Sequence, residues 1–497
     1  MDKIDVVVAE STNLPQAKKE KRKGGFVADV LKLVSGTTFA QILTVATAPL
    51  LTRLYGPEAF GLFALFVSVV NVVGVIACLR YELAIMLPEE DEEAANVLGV
   101  SLGFAALVSG LLIPLVWLMG SSFAEWLKAP ELSKYLWLTP PVVFVGGIFL
   151  ALNYWNSRTR HFGRLSLARV TSAATTTGIQ LGAGYSGHTG GGGLITAYAT
   201  GSTVATLILG GQIWRDDGAL LRRSIKRTKL VAVMKRYRKF PLFDAWAGLL
   251  NAISWQLPAF LLSAFFSSTV VGYYALGNQL LRLPMSLIGN AIAQVFFPRA
   301  AEAKLDGTLA VVVESTFRYL VMLGMFPMFL LAIIGRDLFV IAFGESWAEA
   351  GVYTQILSIW MFFWFISSPL STLFRVLEKQ EFSLGLNIAI FVSRLVSLSI
   401  GGWLNNARLA LVLFSVSGFL FYGYLGLSIV FASGVPWRNV WHILWVNFAE
   451  FIPAALILLV MKYLQLSSWV VVGTAVLMLC IHLGFSIYMI RRQLKFL

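Results

Sequence analysis

At 497 residues, with 57% apolar residues, 13% charged residues and a mean hydropathy of +0.75, the chain lies far from soluble globular composition, in which about a quarter of residues are charged. The net charge of +13 does not point to nucleic acid, because the basic residues sit between apolar runs of membrane-spanning length, where anionic lipid head groups are their natural counterparts. Cys78 and Cys480 both fall in apolar runs and no Cys/His metal spacing occurs, so neither a disulfide framework, nor a metal, nor a cofactor is expected.

In chain order, residues 1–30 read as a disordered basic cytoplasmic tail with the cluster KKEKRKGG at 18–25, and no apolar segment ahead of the first span suggests a cleavable signal. Fourteen spans follow, at roughly 31–52, 60–79, 94–119, 135–157, 168–186, 192–213, 244–266, 270–297, 308–334, 351–374, 381–403, 407–430, 440–462 and 467–490. The fifth, with TSAATTTGIQLGAG, is the least apolar, so thirteen is the alternative count. The runs are continuous rather than alternating, which excludes a β-barrel and predicts an all-α polytopic membrane protein. The organisation expected is a six-helix lobe at 31–213, a basic cytoplasmic linker at 214–243, a second six-helix lobe at 244–430, and two additional helices with a short cytoplasmic tail at 431–497.

Charge sidedness orients the chain. With both termini inside, 30 of the 39 Lys and Arg fall on the cytoplasmic side; Arg53, Lys128, Lys134, Arg336, Arg408 and Lys462 fall outside, and Arg282, Arg318 and Arg394 fall within spans. The segment RDDGALLRRSIKRTKLVAVMKRYRKFPLFDA at 215–245 separates the halves, and its LVAVMKRYRKF stretch reads as a basic amphipathic helix on the membrane surface. Loops on the other side are short, with no room for a domain that does chemistry there.

A repeat links the halves. Residues 52–65, TRLYGPEAFGLFAL, and 267–276, SSTVVGYYAL, share a non-apolar break followed by G-[LY]-[FY]-A-L, with Gly61 and Gly272 each opening the second span of its half on the same side. An even number of spans between them gives the halves one orientation, related by a pseudo-two-fold axis along the membrane normal. Recurrence of interfacial glycine and aromatics by chance is the plainer reading. Two such lobes suit alternating access. No G-x-x-x-x-G-K-[ST] occurs, so no phosphate-cradling ATP loop is encoded.

Intramembrane charges mark candidate sites, since an Arg at mid-bilayer costs at least about 2.5–3.5 kcal/mol. Asn278, Arg282, Ser286, Asn290 and Gln294 step by four along the eighth span, placing polar groups on one face, with Pro284 expected to kink it; interhelical hydrogen bonding is the competing role. Arg318 follows Glu314 at the spacing of an intrahelical ion pair, so it serves either self-neutralisation or substrate. Arg394 has no acidic neighbour on its own helix. Glu314, Glu450 and His482 are candidates for ion coupling, with helix packing the alternative for the last two. Arg80 and Glu82 stand where the second span meets the cytoplasm, ahead of the acidic run EEDEE at 89–93. The balance is a cationic cavity, and the substrate-binding set expected is Arg80, Asn278, Arg282, Asn290, Gln294, Arg318 and Arg394.

TRLYGPEAFGLFALF, RYELAIMLPEEDEEAANV and YYALGNQLLRLPMSLIGNAIAQVFFPRAAE resemble corresponding segments of oligosaccharide flippases of the polysaccharide transporter family, in the superfamily that also holds lipid II flippases and multidrug and toxin extrusion antiporters. The resemblance covers about 30 to 490. It implies two six-helix lobes around a central cavity, and flipping of an undecaprenyl-diphosphate-linked oligosaccharide across the bacterial inner membrane for O-antigen, capsule or exopolysaccharide synthesis. Membrane lipids are implied partners, together with a glycan polymerase and chain-length regulator of the same pathway. Family members differ in which cavity charges they carry. Two alternatives stay open: a cation-coupled multidrug exporter, which would favour an acidic cavity, and a membrane glycosyltransferase or polymerase, which would need an acid–base constellation not visible here. A non-transporting scaffold has no reason to keep Arg at mid-bilayer.

Overall fold

The computed structural model describes residues 25–377 and 379–494, so most of the expected N-terminal tail and the last residues of the C-terminal one lie outside the described residues. Each expected span falls on helical segments, the eighth on a broken pair. The first lobe holds α1 (Gly25–Leu54), α2 (Pro57–Gly74), α3 (Asp91–Trp126), α4 (Thr139–Arg158), α5 (Phe162–Tyr185) and α6 (Gly191–Ser224). A short α7 (Arg227–Arg236) forms the linker. The second lobe holds α8 (Ala245–Phe265), a broken pair α9 (Ser268–Leu281) and α10 (Asn290–Leu305), then α11 (Leu309–Phe343), α12 (Ala348–Leu370), α13 (Gln380–Trp403) and α14 (Ala407–Ala432). Last come α15 (Trp437–Tyr463) and α16 (Ser468–Leu494), both packed on α11.

Lipid leaves no water to satisfy backbone groups, so long apolar runs must bond internally as helices. Local chemistry sets their starts. Pro57 opens α2 after Gly56, the Ser267 hydroxyl accepts from the Val270 amide at the start of α9, and the Asn406 side chain accepts from the Leu409 amide at the start of α14. Among the described residues ten helices are long and apolar enough to cross a bilayer, or twelve when two bent pairs count as one span each. The helices of α1 and α5 are outside that set, and both put hydroxyl and amide side chains into an interior cavity. Of the bent pairs, one joins Pro130–Leu136 to α4 at 54° and the other joins α9 to α10 at 41°. Pro284 stands at the second break, followed by a π turn over Met285–Gly289.

The two lobes meet at the repeat. Helices α2 and α9 cross with Gly61 and Gly272 against each other: a Cβ on Gly61 would overlap the Ser268 carbonyl, a Cβ on Gly272 would overlap the Pro57 carbonyl, and each ideal Cβ lies 3.1 Å from the other glycine's nitrogen. The reciprocity is what a two-fold axis through the contact requires, and the missing side chains let two backbones touch. Around it, Trp347 donates from Nε1 to the Thr52 carbonyl at 3.0 Å and meets Phe60 edge-on, while Lys128 reaches the Phe265 carbonyl at 2.7 Å. This end, opposite the linker, is closed.

At the other, basic end the linker docks on the acidic run. Arg236 pairs with Glu93 at 2.7 Å, Lys229 and Arg223 approach Glu92 at 3.5 and 3.6 Å, and the Tyr81 hydroxyl donates to the Met234 carbonyl at 3.0 Å. The linker helix is therefore pinned to the first lobe along one side, with Val233 buried. Arg158, 12% exposed, ties the turn before α3 by donating to the carbonyls of Ile85, Pro88 and Glu89 and to Asp91. Hydrogen bonds from a charged donor contribute about 1.5–3 kcal/mol each, partly offset here by exposure of Asp91. Arg158→Ala is expected to lower the thermal midpoint of the purified protein by several degrees, whereas an unchanged melting curve would mean the turn holds without it.

Candidate functional site

Between the lobes lies a cavity of about 700 Å³. From the first lobe it receives Thr37, Gln41 and Thr44 of α1, Phe60 and Phe63 of α2, Arg169, Ser172, Thr176, Thr177 and Gln180 of α5, and Tyr198 and Ser202 of α6; from the second it receives Leu276, Gln279, Arg282, Leu283 and Ser286. The two walls touch where Ser286 donates to the Gln41 side-chain oxygen at 3.4 Å.

Arg282 caps α9 just before the Pro284 break, so its direction is set by that bend. Its guanidinium lies 4.8 Å from the Trp255 ring centroid and 6.0 Å from that of Trp364, and its Nε is buried with no hydrogen-bond partner. Arg394 approaches the same tryptophan, 4.6 Å from its centroid, and is only 4% exposed. It donates to the Ser254 carbonyl at 3.0 Å, the Ser254 hydroxyl at 3.2 Å and the Tyr422 hydroxyl at 2.9 Å. Among the described residues neither arginine has a carboxylate partner. Two cations sharing a tryptophan without an anion form a strongly electropositive wall, partly compensated by cation–π attraction. Across the cavity Arg169 donates to the Thr37 hydroxyl at 2.8 Å.

The expected site residues separate. Arg282 lines the cavity and Arg394 sits behind it in the second lobe. Asn278 is one turn back, with its side-chain oxygen buried and unpartnered, and Asn290 and Gln294 are exposed on α10. The polar ladder breaks after Ser286, which still lines the cavity beside Arg282: the π turn and the 41° bend carry Asn290 and Gln294 away from the face that holds Arg282. Arg318 pairs with Glu314 at 2.9 Å, and Glu314 also accepts from Asn439 of α15 at 2.9 Å, so that cluster joins two helices away from the cavity. Glu450 is exposed on α15. His482 stacks on Phe326 at 4.3 Å and lies 3.0 Å from the Met322 carbonyl, holding α16 to α11. Arg80 lies at the basic end between the lobes, its Nε 2.9 Å from Asp244.

Arg169 was not among the expected residues, because charge counting assigns it to a loop. A signal existed: Arg169, Ser172, Ala173, Thr176, Thr177 and Gln180 recur at helical spacing on the least apolar span, one polar face turned inward.

The family described as polysaccharide biosynthesis protein matches residues 50–352. The succinoglycan biosynthesis transport protein ExoT of Rhizobium meliloti (strain 1021) is 22% identical over 342 residues, 64% of this chain and 62% of that protein, so the chain matches less than two thirds of that relative's length. Among solved structures, lipid II flippase MurJ in an inward closed conformation superposes with a TM-score of 0.69 at 13% identity, covering 94% of this chain and 100% of the other. An inward-facing multidrug resistance MATE family transporter of the MOP superfamily gives 0.63 at 15% identity, covering 82% and 98%. At these identities the likeness speaks for the fold: an all-helical, multi-pass membrane protein of two six-helix lobes, with two further helices at the end.

Proposed function

The chain belongs to the polysaccharide biosynthesis protein family, and from that premise we propose that it is a flippase for an undecaprenyl-diphosphate-linked oligosaccharide, moved from the cytoplasmic to the outer leaflet of the bacterial inner membrane by alternating access. Both termini are cytoplasmic in this reading, which follows the basic linker and the positive-inside bias. The chain carries cargo rather than transforming it, and a glycan polymerase and chain-length regulator of the same pathway act after it.

The observation that carries the reading is Arg282: a cavity-lining guanidinium with a buried, unpartnered Nε, backed by Arg394 and faced by Arg169. A diphosphate supplies the missing anion and can accept forked hydrogen bonds from a guanidinium. Hydroxyl and amide groups of α1 and α5 offer partners for sugars, and the closed contact at Gly61 and Gly272 is the end that must part to release cargo outward. A cationic drug would meet repulsion on this wall, which disfavours a multidrug exporter.

Native mass spectrometry of the purified protein with undecaprenyl diphosphate, undecaprenol and inorganic pyrophosphate tests the headgroup claim. The diphosphate lipid is expected to bind and pyrophosphate to compete with it. Equal binding of undecaprenol would remove the cationic wall from the account.

A further inference from the structure

Beyond the cavity, the basic end holds a carboxylate that no part of the transport path uses. Glu82 lies in a single helical turn, Tyr81–Ala84, between α2 and α3 and outside both apolar spans. It is 0% exposed, and among the described residues no side chain or other residue's backbone donates a hydrogen bond to either carboxylate oxygen, leaving only a contact with its own backbone amide. Its ion-pair partner among the described residues is Arg80, with Nη1 at 3.5 Å. Arg80 in turn donates from Nε to Asp244 at 2.9 Å, at the head of the second lobe's first helix. One guanidinium is thus shared between a buried carboxylate of the first lobe and a half-exposed carboxylate of the second. Leu79 and Arg80 hold left-handed backbone (φ 46° and 65°), which is unfavourable for side-chain-bearing residues and fixes this arrangement against local preference.

We propose that Glu82 is a proton-binding site that sets the strength of the Arg80–Asp244 latch between the lobes. A proton from the adjacent aqueous phase, entering past half-exposed Asp244 and Arg80, adds to one Glu82 carboxylate oxygen. The neutral acid no longer draws on the guanidinium, and Arg80 is left to Asp244 across the lobe boundary. Loss of that proton leaves a buried anion with no side-chain donor, which pulls Arg80 back to its own lobe and loosens the latch.

The surroundings fit. Burial pushes the Glu82 carboxyl up to about 7, with Asp244 also raising it and Arg80 and a backbone hydrogen bond lowering it. The sign follows: a folded value above the ordinary carboxylate range means that the favourable protonated state is complete at low pH and is lost as pH rises through about 7. Facing groups are Cys78 and Arg80 on the same segment, Tyr154 of α4 and Asp244 of the second lobe. Arg158 of α4 is engaged by the next turn, while Asp91, Glu92 and Glu93 at the start of α3 are held by Arg158, Arg223, Lys229 and Arg236.

The inference rests on rocking lobes and not on the cargo, so its test is made without any. Spin labels at exposed Arg160 and Asp306, in a Cys480→Ser background, report the separation of the lobes at the basic end by double electron–electron resonance. Across about pH 5.5 to 8.5, which brackets the titration, the close-distance population of the otherwise native protein is expected to fall about threefold to tenfold. Glu82→Gln is expected to stay at the low-pH distribution throughout, and Asp244→Asn to stay at the high-pH one. A distribution insensitive to pH overturns the proposal, and so does a Glu82→Gln protein that responds as the parent does. Failure here leaves the cargo reading standing, and failure of diphosphate binding leaves the latch standing.

Discussion

Gly61→Leu is expected to abolish glycan export while the protein still inserts and accumulates. The new side chain would need the space held by the Ser268 carbonyl, and that carbonyl is helix backbone, which cannot swing aside as a side-chain tip could. The helices must separate instead. Overpacking of a filled interface costs about 1–3 kcal/mol, which is roughly a factor of five to a hundred and fifty in the ratio of closed to open states. The lobes would then rest open at the end opposite the linker, and Gly272→Leu, meeting the Pro57 carbonyl, should do the same. A cysteine introduced at cavity-lining Thr44, in a Cys480→Ser background whose remaining Cys78 is buried, reports this through labelling by a membrane-impermeant maleimide added from outside. At least tenfold faster labelling in Gly61→Leu is expected; unchanged labelling with normal export would mean that this glycine contact does not open in the cycle.

The second large effect separates two arginines that look alike in the sequence. Arg282→Ala removes a cation whose Nε has no protein partner, so the fold loses little while the cargo loses its anion contact. Two charge-assisted hydrogen bonds are together worth about 3 kcal/mol or more, so export is expected to drop about a hundredfold at normal protein level. Arg394→Ala instead strips the donor from the Ser254 carbonyl, the Ser254 hydroxyl and the Tyr422 hydroxyl, all buried. Its export should fall in step with thermal stability and protein amount, because its role is to hold Trp255 and the wall behind Arg282. Were Arg282→Ala to lose protein as Arg394→Ala does, Arg282 would be a packing residue and the headgroup would have to be held elsewhere.

These contrasts trace what a sequence can and cannot disclose about such a fold. Apolar runs become helices almost by necessity in lipid, which is why even TSAATTTGIQLGAG, the least apolar, lies in α5. The glycine repeat was legible because close backbone approach at a symmetry axis demands the same residue twice. Pro284 marks the break in the eighth span, but nothing in MSLIG announces a π turn, so regular helical spacing puts Asn290 and Gln294 on a face they do not share with Arg282. The Glu314–Arg318 pair was visible in its spacing, since both ends lie on one helix turn. Arg80 reads as a cavity cation because its partner Asp244 is 164 residues away, a contact only the assembled lobes create. Arg169 shows the converse: its polar periodicity is present in the sequence, but an arginine at a span boundary is equally suited to a cytoplasmic loop.

The central claim is most directly tested by the leaflet in which the lipid-linked oligosaccharide resides in a strain lacking this protein, compared with the complemented strain. The account predicts completed repeat units on their diphosphate carrier accumulating in the cytoplasmic leaflet, with normal distribution restored by the wild-type chain and not by Arg282→Ala. Oligosaccharide that reaches the outer leaflet normally and remains there unpolymerised or unattached would contradict flipping and place the protein among the enzymes that act after it.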